Sequence, residues 1–162
     1  QSLTRIERLA RRSPVQIEFI NRAIDETKGL DGAILELGLG EGRTLEYLER
    51  ITSSPIFVFE IDEKTNLNIC RTSTKLVKGD FFKTLPQMLD SHNIPVRMVH
   101  ADIGTTDYLN DISRVEPLRA IIEEVVATGG VVVCDRPVRF QGFTLIANSH
   151  LSGWPYYLWK KI

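Results

Sequence analysis

The sequence has little cysteine, almost no net charge and no long apolar run. Only Cys70 and Cys134 occur among 162 residues, far apart in the chain, so neither a disulfide framework nor a zinc site is expected. No apolar stretch approaches the roughly 18 residues that a membrane-spanning helix needs. The formal net charge of −1 provides no overall field that would attract nucleic acid or an anionic membrane.

What is present is the composition of an average globular domain, with 43% hydrophobic and 25% charged residues. The length predicts a single domain with a substantial core. We expect residues 1–30 to form a helical appendage and residues 31–162 to form a sheet domain. The first residues also lack the apolar segment of a signal peptide, which favours a cytoplasmic location.

Short β-rich runs alternate along the chain with segments of helical periodicity. This alternation predicts an α/β fold, a doubly wound and mainly parallel Rossmann-like sheet with helices on both faces. In such a sheet, ligands bind beyond the carboxyl ends of the strands. The predicted strands cover residues 33–37, 56–61, 75–78, 96–101 and 131–134.

Two added helices are predicted before the first strand. Ser13 resembles an N-cap and Pro14 the first residue of a helix, so the second helix would begin there. This pair of helices would cover the substrate side of the sheet or form the face of a homodimer. Four arginines are expected on the solvated face of the first helix: Arg5, Arg8, Arg11 and Arg12.

The second half of the chain has less regular segments. Pro117 divides the helical region after the fourth strand, and two glycines at 129–130 stop its second part. Phe143–Asn148 fits either a helix or a strand. Residues 156–160 predict a final edge strand packed on the core, although their aromatic side chains could instead stack on nucleic-acid bases.

A glycine-rich turn directly follows the first predicted strand. Glu36, Gly38, Gly40 and Gly42 form the pattern E-x-G-x-G-x-G, and a predicted helix begins at once. Glycine allows a sharp turn and a close approach of the backbone to a ligand. The free N–H groups and the dipole at the start of the helix favour a carboxylate or a phosphate.

A second acid, Glu60, lies near the end of the second predicted strand, 18 residues after Gly42 (60 − 42). A carboxylate at this place can accept hydrogen bonds from both hydroxyls of a ribose. Asp62 lies two residues further on and is the competing candidate. We expect Asp62 to cap the next helix and Glu60 to bind the ligand.

The segment 34–44, ILELGLGEGRT, resembles the first motif of the class I S-adenosylmethionine-dependent methyltransferases. Locally it is most similar to small-molecule O-methyltransferases of the catechol type, and the resemblance extends over about residues 34–135. It implies S-adenosylmethionine as the cofactor. By the same resemblance, Glu36 holds the methionine ammonium group and Thr44 contacts the methionine carboxylate.

The resemblance also assigns the nucleoside end of the cofactor. A glutamate in the FVFEID context, here Glu60, would hold the ribose. Asp80, in LVKGDFF, matches the position that contacts the adenine amino group, with Phe81 beside the ring. A helix-capping role is the alternative for Asp80, and one carboxylate can serve both purposes.

Asp102 and Asp135 follow the fourth and fifth strands, which we expect to be neighbours or near neighbours. Two acids in one cleft either raise each other's pKa or bind a cation. In catechol-type enzymes, acids at these places hold magnesium together with a following asparagine. Here Arg136 replaces that asparagine, and a guanidinium cannot bind a metal. We therefore expect no Mg²⁺; Asp102 would line the sulfonium pocket, and Arg136 would pair with an acid or anchor an anionic substrate.

Two residues are candidate catalytic groups, Asp102 and His100. His100 lies two residues before Asp102, so both face the same side of an ideal strand, and a histidine there could act as a general base. The alternative is a hydrogen-bonded histidine of the core. Asp107 and Tyr108 are expected to start a helix rather than to contact substrate.

Together these observations predict methyl transfer from S-adenosylmethionine to a small-molecule acceptor, most simply through oxygen. No nucleic-acid or membrane partner is expected, since residues 102–105 (DIGT) lack the Pro-Pro-aromatic run of DNA and RNA amino-methyltransferases. Two alternatives stay open: a domain that binds the cofactor without catalysis, and an NAD-binding oxidoreductase. The latter is disfavoured because the third glycine of the dinucleotide pattern would fall at Arg43.

Overall fold

The computed structural model describes residues 2–38, 42–62, 71–105, 107–149 and 154–162. Its strands are β1 (Ala33–Leu37), β2 (Ile56–Glu60), β3 (Thr74–Lys78), β4 (Val96–Ala101), β5 (Val126–Cys134), β6 (Phe143–Asn148) and β7 (Tyr157–Lys161). Its helices are α1 (Arg5–Glu26), α2 (Arg43–Ile51), α3 (Phe81–His92) and α4 (Tyr108–Val125). Gly40 of the glycine turn, Cys70 and most of the helix expected over residues 63–72 lie outside the described residues.

The described strands form one seven-stranded sheet in the order β3-β2-β1-β4-β5-β7-β6. The pairs from β3 to β5 are parallel, whereas β7 runs antiparallel to both β5 and β6. The predicted α/β fold with a mainly parallel sheet is therefore confirmed. The prediction that the last strand lies at an edge is wrong, because β7 is inserted between β5 and β6 and leaves β6 at the edge.

Helices cover both faces of the sheet, which explains why β1 and β2 are buried along their whole length. One core cluster joins the sheet to α1 and α2, and includes Phe19, Leu48 and Met98. The other joins the opposite face to α3 and α4, and includes Leu85 and Leu118. None of the helices in the described ranges is long and apolar enough to cross a membrane.

The two predicted N-terminal helices are one continuous helix, α1, with Pro14 inside it. Thr4 starts the helix through a capping box with Glu7, and the buried side chains that hold it to the sheet come after Pro14. Pro14 cannot donate to the carbonyl of Ala10, but both residues are exposed, so water can satisfy that carbonyl. Proline is therefore tolerated here without ending the helix.

The region after β4 also differs from the prediction. Pro117 lies inside a single helix, α4, on its exposed side, so it does not divide the region into two helices. Gly129 and Gly130 lie within β5 instead of ending a helix. A Cβ atom on Gly130 would lie only 2.9 Å from the carbonyl oxygen of Arg97. These glycines therefore allow β5 to approach β4 closely where the register of the two strands shifts.

Helix α1 runs antiparallel to β4. Gln16 Nε2 donates to Asp102 Oδ2 beyond the carboxyl end of β4, over 2.7 Å. Near the amino end of the same strand, Arg97 Nε donates to Thr27 Oγ1, just after α1, over 3.2 Å. The first half of α1 is therefore directed past the carboxyl edge of the sheet, where ligands bind in this class of fold.

Candidate active site

Five acidic residues mark the carboxyl ends of five consecutive strands in the sheet. Taken across the order β3-β2-β1-β4-β5, they are Asp80, Glu60, Glu36, Asp102 and Asp135. Neighbouring strands lie about 4.8 Å apart, so the row extends over roughly 19 Å. We call these residues the acid row. The sequence predicted each of them, and the structure places them along one edge.

Glu36 is completely buried and accepts hydrogen bonds from two side chains. Thr44 Oγ1, in the first turn of α2, donates to Glu36 Oε1 over 2.7 Å. His100 lies opposite Glu36 in the parallel β1–β4 pair, and its Nδ1 lies 2.9 Å from both carboxylate oxygens. Burial by itself lowers the pKa of His100, but the charge of Glu36 and its hydrogen bond outweigh that effect and raise the pKa.

Two residues that the sequence did not single out continue this network. Tyr156, just before β7, places its hydroxyl 3.2 Å from His100 Nε2. Gln16 Nε2, on α1, donates to that hydroxyl over 3.0 Å and to Asp102 Oδ2 over 2.7 Å. Burial, followed by the charge of Asp102, raises the pKa of Tyr156 well above its usual value, so the hydroxyl stays protonated. We call the connected set the buried polar chain: Thr44, Glu36, His100, Tyr156, Gln16 and Asp102.

The position of His100 argues against its predicted role as a catalytic base. Its side chain has no exposed surface, and both ring nitrogens already have partners in Glu36 and Tyr156. A base must come within hydrogen-bond reach of the substrate proton. His100 is therefore a positioning residue for Glu36. Asp102, in contrast, is partly exposed at the end of β4.

Asp102 and Asp135 are close neighbours, as the strand order requires. Burial, together with the charge of Asp102, raises the pKa of Asp135 to about 7. The backbone N–H of Gly104 donates to Asp135 Oδ2 over 3.0 Å. Asp135 Oδ1 is buried and has no hydrogen-bond partner among the described residues. The pair therefore retains an unused acceptor at the carboxyl edge of β5.

Arg136 forms a clamp between the loops that follow β4 and β5. Its Nε and Nη2 donate to Asp111 Oδ2 over 3.2 and 2.7 Å, and Nη2 also donates to the carbonyl of Thr105 over 2.8 Å. Nη1 donates to the carbonyl and to Oδ2 of Asp135 over 3.0 and 3.3 Å. A guanidinium has five N–H donors, and these five contacts use them all. Because all its donors already have acceptors within the protein, Arg136 is not suited to anchor an anionic substrate. The alternative expectation, that it pairs with acids, is supported.

Asp111 is the principal partner of Arg136, and no pattern in the sequence points to it. Burial tends to raise the pKa of Asp111, but the N–H of Thr105 and the Arg136 guanidinium together lower it. Asp111 lies in the first turn of α4 and is almost completely buried. An aspartate three residues beyond Tyr108, at a predicted helix start, looks like an ordinary helix-start residue, and only the fold brings it to Arg136.

The residues assigned to the nucleoside end of the cofactor lie at the ends of β2 and β3. Glu60 is buried and accepts the backbone N–H of Asp62 at 3.0 Å, while Asp62 itself is exposed. The helix that Asp62 was expected to cap falls outside the described residues. Asp80 caps α3 by accepting the N–H of Phe82 at 3.0 Å, as the alternative role required. Phe81 packs edge-on against Phe59, with the ring centres 6.5 Å apart.

The local backbone has features that fit S-adenosylmethionine. Gly42 caps α2 with φ of 76° and itself has no side chain to bond to the first N–H groups of that helix, so a carboxylate can do so. Gly38 has φ of 79°, and a Cβ atom there would lie 3.4 Å from the carbonyl oxygen of Asp102. The glycine therefore keeps the edge between β1 and β4 open. The unpartnered Asp135 Oδ1 lies at the same edge.

The described residues contain no group of three or more histidine, cysteine, aspartate or glutamate side chains arranged to hold a metal ion. Beside Asp135 there is instead a positively charged side chain, the guanidinium of Arg136. Arg136 Nη1 lies 3.3 Å from Asp135 Oδ2, in a position where it compensates the negative charge. This arrangement is chemically suited to binding an elongated, zwitterionic nucleoside along the strand ends.

Comparison with solved structures connects this geometry to proteins of known class. An S-adenosyl-L-methionine methyl transferase from Silicibacter pomeroyi is 25% identical, with a TM-score of 0.81, and the match covers 99% of this chain and 100% of that one. An RNA methyltransferase from Salinibacter ruber, in complex with S-adenosyl-L-homocysteine, is 21% identical over 91% of this chain and 90% of its own, with a TM-score of 0.63. A TDP-rhamnose 3'-O-methyltransferase of calicheamicin biosynthesis is 17% identical over 84% and 72%, with a TM-score of 0.54.

The last two similarities show the fold alone. No curated protein matches the chain. A family model described as S-adenosyl-L-methionine methyltransferase, however, matches residues 3–158, which is nearly the whole sequence. The protein therefore belongs to the S-adenosyl-L-methionine methyltransferase family, and it is a methyltransferase whose cofactor is S-adenosylmethionine.

Proposed function

We propose that the protein transfers the methyl group of S-adenosylmethionine to an oxygen atom of a small-molecule acceptor, and that it does so without magnesium. The observation that carries this proposal is the acid row. Its members lie at one edge of the sheet, and Asp80, Glu60 and Glu36 can each take one polar group of the cofactor, with Asp102 beside them at the end of β4. When bound, the cofactor supplies an electrophilic methyl group attached to a sulfonium.

In this arrangement Asp80 and Phe81 hold the adenine, and Glu60 holds the ribose hydroxyls. Glu36 binds the methionine ammonium group, and the backbone N–H groups at the start of α2, including that of Thr44, bind the methionine carboxylate. The hydrogen bonds from Thr44 and His100 fix the Glu36 carboxylate, so it is oriented before the cofactor arrives. Glu36 has no exposed surface, so the ammonium group can reach its carboxylate only when the atoms that cover it move aside; little water then competes for the carboxylate.

Asp102 lines the methyl region and is the proposed catalytic residue. Gln16 holds Asp102 Oδ2 in one orientation from the opposite side of the cleft. An acceptor hydroxyl can then donate a hydrogen bond to the Asp102–Asp135 pair, which would accept its proton as the bond from methyl to sulfur breaks and the bond from methyl to oxygen forms. Aligning donor and acceptor supplies most of the acceleration that such a transfer needs, so few acid–base groups are required.

The resemblance to catechol-type enzymes suggests oxygen as the acceptor atom, but Arg136 changes the chemistry beside it. A guanidinium 3.3 Å from Asp135 Oδ2 repels a second cation and supplies part of the charge that magnesium would bring. We therefore expect activity to survive treatment with a chelator such as EDTA. Loss of activity on chelation, restored by added Mg²⁺, would contradict this part of the proposal.

The first experiment is calorimetric titration of the purified protein with S-adenosylhomocysteine and, separately, with NAD. The second is a turnover assay with labelled S-adenosylmethionine against a panel of small hydroxyl compounds and a panel of RNA oligonucleotides. Binding of S-adenosylhomocysteine and turnover of a small hydroxyl compound are expected. Binding of NAD alone, or turnover restricted to RNA, would refute the proposal. RNA is included because RNA methyltransferases share this fold.

A further inference from the structure

The first half of α1 projects beyond the carboxyl edge of the sheet. Gln16 marks the edge through its bond to Asp102, and the 11 helical residues before it (16 − 5) continue in the same direction. At about 1.5 Å per residue, this segment reaches roughly 16 Å past the strand ends. It therefore stands beside the cleft in which cofactor and acceptor meet.

Three arginines of this segment lie on the helix face that carries Gln16. Arg12 lies four residues before Gln16 in α1, Arg8 lies four residues before Arg12, and Arg5 lies three residues before Arg8. With about 100° of rotation per residue, all four positions fall within roughly 80° of one another. Arg5, Arg8 and Arg11 are exposed, as expected for a solvated face, whereas Arg12 is half-buried. Arg11 lies on a different face, about 140° from Gln16 by the same count.

Arg12 adds a second, independent observation. It is half-buried, and its Nε is shielded from solvent with no hydrogen-bond partner among the described residues. A desolvated guanidinium donor without an acceptor is unfavourable, and an anionic ligand would relieve it. Arg5 and Arg8 are exposed further along the same face. The three side chains thus make a cationic wall, buried at its inner end and open at its outer end.

Space for a ligand lies beside Gln16. A cavity of about 260 Å³ lies between α1 and α2, and its lining includes Ser13 and Gln16 on one side and Thr44 and Tyr47 on the other. Gln16 and Thr44 are both members of the buried polar chain. Arg5, Arg8 and Arg12 are not among the cavity's lining residues; Ser13, which follows Arg12 in α1, is the lining residue next to them in sequence.

We propose that Arg5, Arg8 and Arg12 bind an anionic group, a phosphate or a carboxylate, of the small-molecule methyl acceptor. This inference rests on the proposed function and narrows its substrate class. The wall spans about 10 Å, from Arg5 to Arg12, which suits one or two anionic groups better than a long polymer. The overall charge of −1 provides no general attraction for RNA.

The test is calorimetric titration of the protein saturated with S-adenosylhomocysteine, using inorganic pyrophosphate as one probe and citrate as the other. The wild type is expected to bind at least one of them, and the preferred probe distinguishes phosphate from carboxylate. The double variant Arg8→Gln/Arg12→Gln should bind that probe at least about tenfold more weakly, because charge-assisted contacts are lost. Arg11→Gln is the matched control and should change the affinity less than about twofold.

Binding of S-adenosylhomocysteine tests the proposed function, and binding of the two anions tests the role of the arginines. If S-adenosylhomocysteine binds but neither anion does, or if Arg11→Gln weakens binding as much as the double variant, the cationic wall is refuted and the proposed function stands. If S-adenosylhomocysteine itself does not bind, both fail. A single-stranded RNA 20-mer that binds more tightly than pyrophosphate through the same arginines would also overturn the small-molecule assignment. Should the Arg12 substitution prevent folding, the exposed pair Arg5→Gln/Arg8→Gln serves instead.

Discussion

The two faces of the central sheet are built from the same strands but differ in chemistry. Along β1, Leu35 and Leu37 belong to the apolar core under α3 and α4, while Glu36 between them points to the face covered by α1 and α2. Along β4, Val99 and Ala101 flank His100 in the same way. In β1 and β4 these residues that face α3 and α4 are apolar, whereas the opposite face encloses the buried polar chain.

This difference indicates what each face is for. Buried polar groups are unfavourable unless their hydrogen bonds are satisfied, and apolar residues of similar size often stabilise a core at least as well. A sheet selected only for stability would need no carboxylate and imidazole in its two central strands. The α3–α4 face therefore stabilises the fold, and the α1–α2 face prepares a binding site. Each prediction below tests that division.

The largest expected effect comes from removing one residue from each face of β1. Leu35→Ala should destabilise the fold by about 2–5 kcal/mol through a cavity in the apolar core. Glu36→Ala should cost about 3–5 kcal/mol, because His100 and Thr44 lose their shared acceptor inside the protein. Urea unfolding measures both. Only Glu36→Ala should also abolish binding of S-adenosylhomocysteine in calorimetry, and equal loss of binding in Leu35→Ala would refute the division between faces.

A smaller effect is expected at the ribose end of the acid row. Glu60→Ala should weaken S-adenosylhomocysteine binding by about 1–3 kcal/mol through lost charged hydrogen bonds. Asp62→Ala is the matched control, since Asp62 is exposed two residues away and is not expected to contact the ribose. Calorimetric dissociation constants of the two variants decide between the residues. If Asp62→Ala proves the more damaging change, the assignment of the ribose is wrong.

Site residues could be predicted from the sequence where a local pattern marks them, and could not be predicted where only the fold brings them together. Glu36, Glu60 and Asp102 were found because each lies at the end of an apolar run that predicts a strand. Gln16 and Tyr156 could not be found in this way, since they lie 140 residues apart and meet only in the folded protein.

The two prolines show why local patterns failed elsewhere. A proline normally signals a helix boundary because it leaves a carbonyl without its donor. Pro14 and Pro117 are exposed, and so are the residues whose carbonyls they leave free, so water replaces the missing donor. The burial that decides this is a property of the whole fold. The insertion of β7 between β5 and β6 likewise depends on pairing that no single segment specifies.

The pH dependence of stability tests the predicted titration of Asp135. The pKa of Asp135 is about 7 in the folded protein, against about 3.9 for an unperturbed aspartate in the unfolded chain. Between these values the folded state binds more protons, so stability falls as the pH rises through this range. Asp135→Asn should remove most of that decline, as measured by urea unfolding at pH 5 and pH 8.

His100 works in the same direction. Its pKa is raised in the folded protein, so the stabilisation from its protonated form is present at low pH and is lost as the pH rises through that raised pKa. In Asp135→Asn the free energy of unfolding should therefore still fall with rising pH, but less steeply than in the wild type. An unchanged decline in that variant would show that Asp135 does not titrate in this range.

The smallest effect is predicted for the hydroxyl that joins the two halves of the buried polar chain. Tyr156→Phe removes the group shared by Gln16 and His100, and should cost about 1 kcal/mol in urea unfolding. The pKa of His100, followed by NMR, should fall because the protonated ring loses the acceptor for its Nε2–H. Tyr157→Phe, on the apolar face, should leave the titration of His100 and the binding of S-adenosylhomocysteine unchanged. If both tyrosine variants shift His100 alike, the polar chain is not an independent unit, and the chemistry of one face cannot be separated from the packing of the other.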